Sequence, residues 1–351
     1  MASNPNRHIP SPTPYGRIFP PDPAWLAKQP PEPVLEPDLP IVDAHHHLWD
    51  RPDGNRYLLD DFLADLRTGH NVVATVFVQC HAMYRATGAE EMRPVGETEF
   101  VAGQAAMSAS GQYGPTRIAA AIVGFADLEL GDAVEAVLEA HIRAAGGRFR
   151  GIRHSAAWDA DPVIGNGHPH PHLLRSPEFR TGLKRLTAMG LAFDLWVFHP
   201  QLPEAVELVR AFPDTQFILG HCGGPLGYGP YAGKRDEIFP VWKASMAELA
   251  RCPNVVVKLG GMMMRLAAYD YGALEAPPDS ARLAELWRPW IETCIELFGA
   301  DRCLFESNFP VEKMGIGYAA LWNAFKRIAA GASRAEKEAL FAGTARRVYR
   351  L

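Results

Sequence analysis

After Pro40 the chain repeats one pattern eight times: a short apolar run, then a longer stretch whose apolar residues recur at helical spacing. The apolar runs are 41–47, 72–80, 118–125, 149–153, 191–198, 216–220, 254–259 and 302–306. Strands that alternate with helices pair in parallel, because each crossover must return over the sheet. Eight such units predict an α/β chain closed into a (β/α)8 TIM barrel. The competing architecture, an open doubly wound sheet, needs a glycine-rich phosphate loop at its first turn, and none is present. The stretch GYGPYAGKRDE, Gly227 to Glu237, has a GK pair but neither the spacing glycine nor the Ser/Thr of a P-loop, so we reject nucleotide binding.

The intervening stretches carry helix start signals. Asp132 is placed to cap a helix over 133–145, with Val134, Val137, Leu138 and Ile142 on one stripe. Ser176-Pro177 opens 178–189 with proline at the first helical position. Pro203 begins another helix with Val206, Val209 and Phe212 inward, and 236–250 repeats Ile238, Val241, Trp242 and Leu249 at the same spacing. The stretch 280–297 follows suit, and Ser333 with Glu336 forms a capping box.

Residues 1–40 form a separate segment, with twelve of the thirty prolines. Proline fixes φ and lacks a backbone donor, which argues against any helix or inner strand here and for an extended arm ahead of a single barrel domain, 41–351. Tyr15, Ile18, Phe19, Trp25 and Leu26 need cover, so the arm is expected to wrap the barrel or to reach a second subunit of a homo-oligomer.

A net charge of −5 and the lack of a Lys/Arg run exclude a nucleic-acid or acidic-membrane partner. No apolar run has the length of a membrane span, and the N-terminus lacks the basic-then-apolar pattern of a signal peptide. The five cysteines are scattered, without a CxxC pair, and read as reduced thiols of a cytoplasmic protein. Small-molecule chemistry is the remaining class.

Polar residues at the C-terminal ends of barrel strands converge on one mouth, so a list of those ends is a site prediction. The first strand ends IVDAHHHLWD, where alternation puts His45 and His47 on one face, with Asp43 one layer deeper. Two neutral imidazoles so placed suit Zn²⁺ or a similar divalent ion. Other strands end at Arg153 and His154, at His199 and at His221; the seventh carries Lys258, and the eighth ends with Glu306 and Asn308 on one face. Arg153 and Lys258 suit a substrate carboxylate or a structural ion pair. Trp49 and Trp158 could stack on a ring or plug the barrel, and Met262, Met263 and Met264 could line the pocket or pack the core. His168, His170 and His172 fall in a proline-rich loop and suit a pocket rim better than a second metal site. Cys222 lies on the face opposite His221, as a packing residue.

The motifs HxH, GIRH, LGHCGGP, VKLGG and FESNFP-VEK together resemble the amidohydrolase-2 group of the amidohydrolase superfamily. The likeness is to its lactonase-related branch, which includes 2-pyrone-4,6-dicarboxylate lactonase and fuconolactonase. It runs from about Ile41 to the C-terminus. It implies a (β/α)8 barrel that hydrolyses lactones or decarboxylates aromatic acids without oxidation, with or without a divalent metal. The metal or active-site histidines it implies are His45, His47 and His221, with His199 in the strand-five place. Arg153 and His154 stand where many relatives have a bridging lysine, which argues against two metals. Asn308 stands where the family has an aspartate, and an amide cannot take a proton at neutral pH.

The expectation is therefore a hydrolase that opens a carboxylate-bearing lactone or ester with water activated by one divalent metal, zinc by its ligand types. The proposed ligands are His45, His47, His221 and His199, with Glu306 or His199 as base and Asn308 holding water. Arg153, Lys258, His154 and Trp49 are the candidate substrate-binding residues. A decarboxylase, a metal-independent lactonase and a non-catalytic acid-binding barrel are the alternatives.

Overall fold

The computed structural model describes residues 20–52, 54–264 and 274–351. Eight parallel strands form one sheet in sequence order: β1 Ile41–His46, β2 Val72–Val78, β3 Arg117–Gly124, β4 Phe149–Ile152, β5 Ala192–Leu195, β6 Phe217–Leu219, β7 Val255–Leu259 and β8 Cys303–Phe305. The last returns to the first: the His47 N–H donates to Phe309 O at 2.7 Å and the Asn308 N–H to His45 O at 2.8 Å, closing the barrel. Seven of the eight strands fall inside the apolar runs of the sequence, and β3 begins one residue before its run, at Arg117. Several end earlier, because residues such as Trp196 to Phe198 leave the ladder and turn toward the mouth.

Two apolar layers hold the barrel. The larger lies between strands and helices, and a smaller one fills the lumen with Val42, Ala44, Ala74, Ile218, Val256 and Leu304. The chain's last helix, Thr344–Tyr349, puts Val348 and Tyr349 into this lumen cluster and so closes the end away from the mouth.

Several local expectations are corrected. Val42 and Ala44 belong to the lumen, and a register irregularity between Asp43 and His46 breaks strict alternation in β1. Asp43 therefore does not continue the His45/His47 face. It accepts hydrogen bonds from Ser307 N (2.9 Å) and the Tyr318 hydroxyl (3.0 Å) on the helical side, and burial pushes it up to about 6. Ile142 and Val241 are exposed, at 39% and 63%; His141 takes the inward place in the helix Val134–Ala144. Asp132 caps nothing. A 3-10 turn, Leu128–Ala133, precedes that helix with Asp127 as its cap, and Asp132 instead accepts from Arg185 Nε at 2.7 Å. The Ser176 and Ser333 caps form.

In the N-terminal segment one helical turn does occur, Pro23–Leu26, because Asp22 caps it and proline at the first position has no orphan N–H to lose. The described part lies on the chain's own barrel. Trp25 is buried, Gln29 accepts from Gly317 N at 2.8 Å, Leu35 N donates to Asn323 and Lys326 donates to Leu35 O. Tyr15, Ile18 and Phe19 lie outside the described residues. Among those described, no helix is long and apolar enough to cross a membrane, and all five cysteines are free thiols.

Candidate active site

Three strand ends meet around one carboxylate. Glu306, immediately after β8 and 0% exposed, places Oε1 2.6 Å from His221 Nδ1 and 3.1 Å from the His221 backbone N–H. Its Oε2 lies 2.7 Å from His45 Nδ1. That second approach is close but poorly aligned, so Oε2 is a buried acceptor without a well-directed donor. Burial alone would raise the Glu306 carboxyl; the charge of His221, then of Lys258, outweighs it and holds the group below its usual range.

The backbone is shaped for this contact. His221 and Cys222 both have positive φ, 50° and 52°, in a 3-10 turn after β6. Such strain in residues with a Cβ persists only where surroundings impose it. The glycine pair after β7 explains why: a Cβ on Gly261 would stand 2.3 Å from His221 Nδ1, and one on Gly260 would stand 2.4 Å from Glu306 Cγ. Only glycine lets that loop pass under the imidazole and the carboxylate.

His47 joins from the other side. Its Nδ1 lies 2.7 Å from Val78 O and its Nε2 lies 3.2 Å from His45 Nε2. A carbonyl can only accept, so His47 Nδ1 carries the proton and its Nε2 lone pair faces His45 Nε2. Two nitrogens each about 2.0–2.1 Å from a tetrahedral Zn²⁺ lie about 3.3 Å apart, close to this spacing. Arg153 Nη1 lies 3.3 Å from His45 Nε2. Burial first, then Lys258, keeps His45 well below the ordinary imidazole range; burial and Arg153 do the same for His47. Both rings are neutral at neutral pH.

His45, His221 and Glu306 each offer a ligand atom within 4.8 Å of the others, and all are buried. Imidazole nitrogens beside a carboxylate with an unsatisfied buried oxygen are the kind of donor set a divalent cation takes. The residues fit such an ion, with His47 at the edge of the group.

The other expected residues lie around this centre. Lys258, 0% exposed, pairs with Asp194 at 2.7 Å and reaches within 3.4 Å of His45 Nδ1. Arg153 also donates to Gln79 O, and Gln79 Nε2 returns a bond to Arg153 O at 3.3 Å. His199 is not drawn into the group. Its Nδ1 accepts from Leu226 N at 3.3 Å, its ring packs edge-on to Tyr231, and burial pulls it down to about 4. Asn308 is turned to Glu312, donating Nδ2 to Oε1 at 3.1 Å. His154 accepts from Leu128 N and packs on Phe125. Trp49 is buried, stacks on His47 and donates Nε1 to Asn55 at 3.0 Å. His168 and His172 go to Glu129 and Glu204 separately. Met262 and Met263 are core, while Met264 borders a small cleft with Trp196, Phe198 and Leu226 beside His221.

Asp194 and Tyr349 were missed. An aspartate inside an apolar strand, LAFDLW, signals a buried charge that must have a partner, and Lys258 in VVVKLGG is the complementary signal.

A family profile described as Amidohydrolase matches residues 42–351. An uncharacterized protein of Sinorhizobium fredii is 35% identical over 335 residues, 90% of this chain and 99% of its own length. The L-fucono-1,5-lactonase of Burkholderia multivorans is 28% identical over 329 residues, 88% and 96% of the two chains. An amidohydrolase from Burkholderia multivorans, crystallised with bound zinc, superposes with a TM-score of 0.69 at 27% identity, covering 89% of this chain and 99% of that one. With its barrel, its histidine-carboxylate centre and a match over nearly the whole sequence, the chain belongs to the amidohydrolase family.

Proposed function

We propose that the protein is a metal-dependent hydrolase that opens the ring of a neutral, polyhydroxylated lactone of the sugar-acid class. The observation that carries the reading is the Glu306 carboxylate set between His45 and His221 at the barrel mouth. Support for the substrate class comes from the lactonase similarity over most of the chain. A divalent cation held by His45, His47 and His221 beside the Glu306 carboxylate would lower the pKa of water and polarise the lactone carbonyl. Glu306 keeps both imidazoles oriented, and its Oε2, lacking an aligned donor, is placed to receive the water's proton. Arg153 Nη1, beside His45 Nε2, is placed to donate to the carbonyl oxygen as negative charge develops there. His199, whose Nδ1 is an acceptor, presents an Nε2–H to a substrate hydroxyl or the leaving oxygen.

The expectation of a carboxylate-bearing substrate rested on Arg153 and Lys258, with a structural ion pair as the alternative. Lys258 is paired with Asp194 in the barrel interior, which leaves Arg153 as the one of these two without a carboxylate partner among the described residues, and this favours a neutral lactone. The test is ring opening, followed by acid release in a pH-stat, with L-fucono-1,5-lactone and 2-pyrone-4,6-dicarboxylate side by side. Hydrolysis of the sugar lactone well above the buffer rate, with little of the dicarboxylate, is the expected result. Turnover of neither, or CO₂ release without ring opening, contradicts the reading.

A further inference from the structure

Below the histidines, a second charged group fills the lumen. Lys258 on β7 is wholly buried, with its Nζ 2.7 Å from Asp194 Oδ1 on β5 and 3.4 Å from His45 Nδ1. The Tyr349 hydroxyl, from the last turn of the chain, donates to Asp194 Oδ1 at 2.9 Å and lies 3.1 Å from Oδ2. The tyrosine ring also flanks the ammonium, 5.5 Å from Nζ to the ring centre. Tyr349 is itself fixed, since its carbonyl accepts from Arg150 Nε at 2.6 Å.

An ammonium this close to a ring of a cation site has two effects. It repels a dication through a low-dielectric interior, and it competes for the ring nitrogen that Glu306 must hold. Asp194 answers both, because it draws Nζ down the lumen to a shorter contact and cancels its charge. We propose that Asp194, braced by Tyr349, is a positioning residue for the cation site, holding Lys258 off His45 so that the His45–Glu306–His221 group stays able to bind a divalent ion. The inference depends on that group being a cation site. It links the end of the chain to the mouth of the barrel through Tyr349, Asp194, Lys258 and His45 in turn.

Zinc affinity of the full-length protein, measured by competition with a chromogenic chelator, tests it without reference to any substrate. Asp194→Asn is expected to weaken zinc binding by roughly tenfold to a hundredfold, the usual range for a residue behind the ligands. Adding Lys258→Met to Asp194→Asn is expected to restore most of the affinity, a rescue that only a charge effect predicts. Tyr349→Phe, which keeps the ion pair, is expected to weaken binding by a smaller factor. Should Asp194→Asn fail to fold, the double variant and Tyr349→Phe decide: near-native affinity in the first with a loss in the second supports the proposal, and any other pair of results overturns it. Zinc bound equally by wild type and Asp194→Asn, or no rescue in the double variant, overturns this proposal alone. No zinc bound by the wild type overturns the cation reading, and this one with it.

Discussion

The Nε2 atoms of His45 and His47 face each other across 3.2 Å, while His47 Nδ1 is committed to Val78 O and His45 Nδ1 lies between Glu306 Oε2 and Lys258 Nζ. Ring nitrogens held this close need a proton, a cation or a donor against them, and Arg153 Nη1 lies 3.3 Å from His45 Nε2. His47→Ala removes one of the pair without disturbing Glu306. We expect lactone kcat/KM to fall by more than roughly a hundredfold and bound zinc to drop in parallel. Elemental analysis of the purified variant checks it; full zinc content would show that His47 is not needed to hold the ion.

Glu306→Gln keeps the shape of the side chain and removes the charge that His221 and His45 approach. An amide at this position must also turn an N–H₂ toward one imidazole. Activity is expected to fall on the order of a thousandfold, from weaker ion binding together with loss of a proton acceptor. A pH–rate profile of the residual activity checks the second part: the acid limb of the wild type should be lost in the variant.

Gly261 and Gly233 both have positive φ, 69° and 74°, but only the first lies against a functional side chain. Alanine at Gly233 meets nothing within 4 Å and is expected to cost only the backbone strain, about 1–2 kcal/mol of stability. Alanine at Gly261 would press on His221 Nδ1 as well, so zinc affinity and activity should both collapse. Denaturant melts and zinc titrations of the two variants separate strain from displacement of the imidazole.

His141 is buried between Thr98 Oγ1 and Phe125 O, both 2.8 Å away, and burial pulls it from 6.5 down to about 4. A histidine with a depressed folded-state pKa contributes stability that is fully present above pH 6.5 and is lost as pH falls toward 4, because only the unfolded chain readily takes the proton. The slope approaches about 1.4 kcal/mol per pH unit for one such group. His141→Gln should flatten the acid side of the stability curve by about that much between pH 6 and 4.5. Urea unfolding at several pH values measures the slope, and an unchanged slope would contradict the assignment.

The barrel could be read from the sequence because eight apolar runs separated by helical patterns admit few other topologies, and each strand lies within its run or starts one residue before it. The mouth was readable for the same reason, since His45, His47, His221 and Glu306 all stand at strand ends. What sequence alone does not reveal is which polar group satisfies which. Asp43 has the right parity to join His45 and His47, yet one irregularity in β1 sends it to Tyr318. Lys258 looks like a substrate ligand until Asp194, from a strand 64 residues earlier, claims it. His199 and His154 sit at proper strand ends but find backbone partners in Leu226 and Leu128, local contacts that no spacing rule specifies. Buried polar pairing is decided by three-dimensional proximity, and periodicity encodes only which face a residue occupies.

The most direct measurement of the central claim is L-fucono-1,5-lactone hydrolysis by the same protein before chelator dialysis, after it, and after zinc is restored, with metal content determined at each stage. The account predicts about one zinc per chain at first, loss of zinc and activity together, and recovery of both on addition of Zn²⁺. Full activity in protein shown to be metal-free would contradict it.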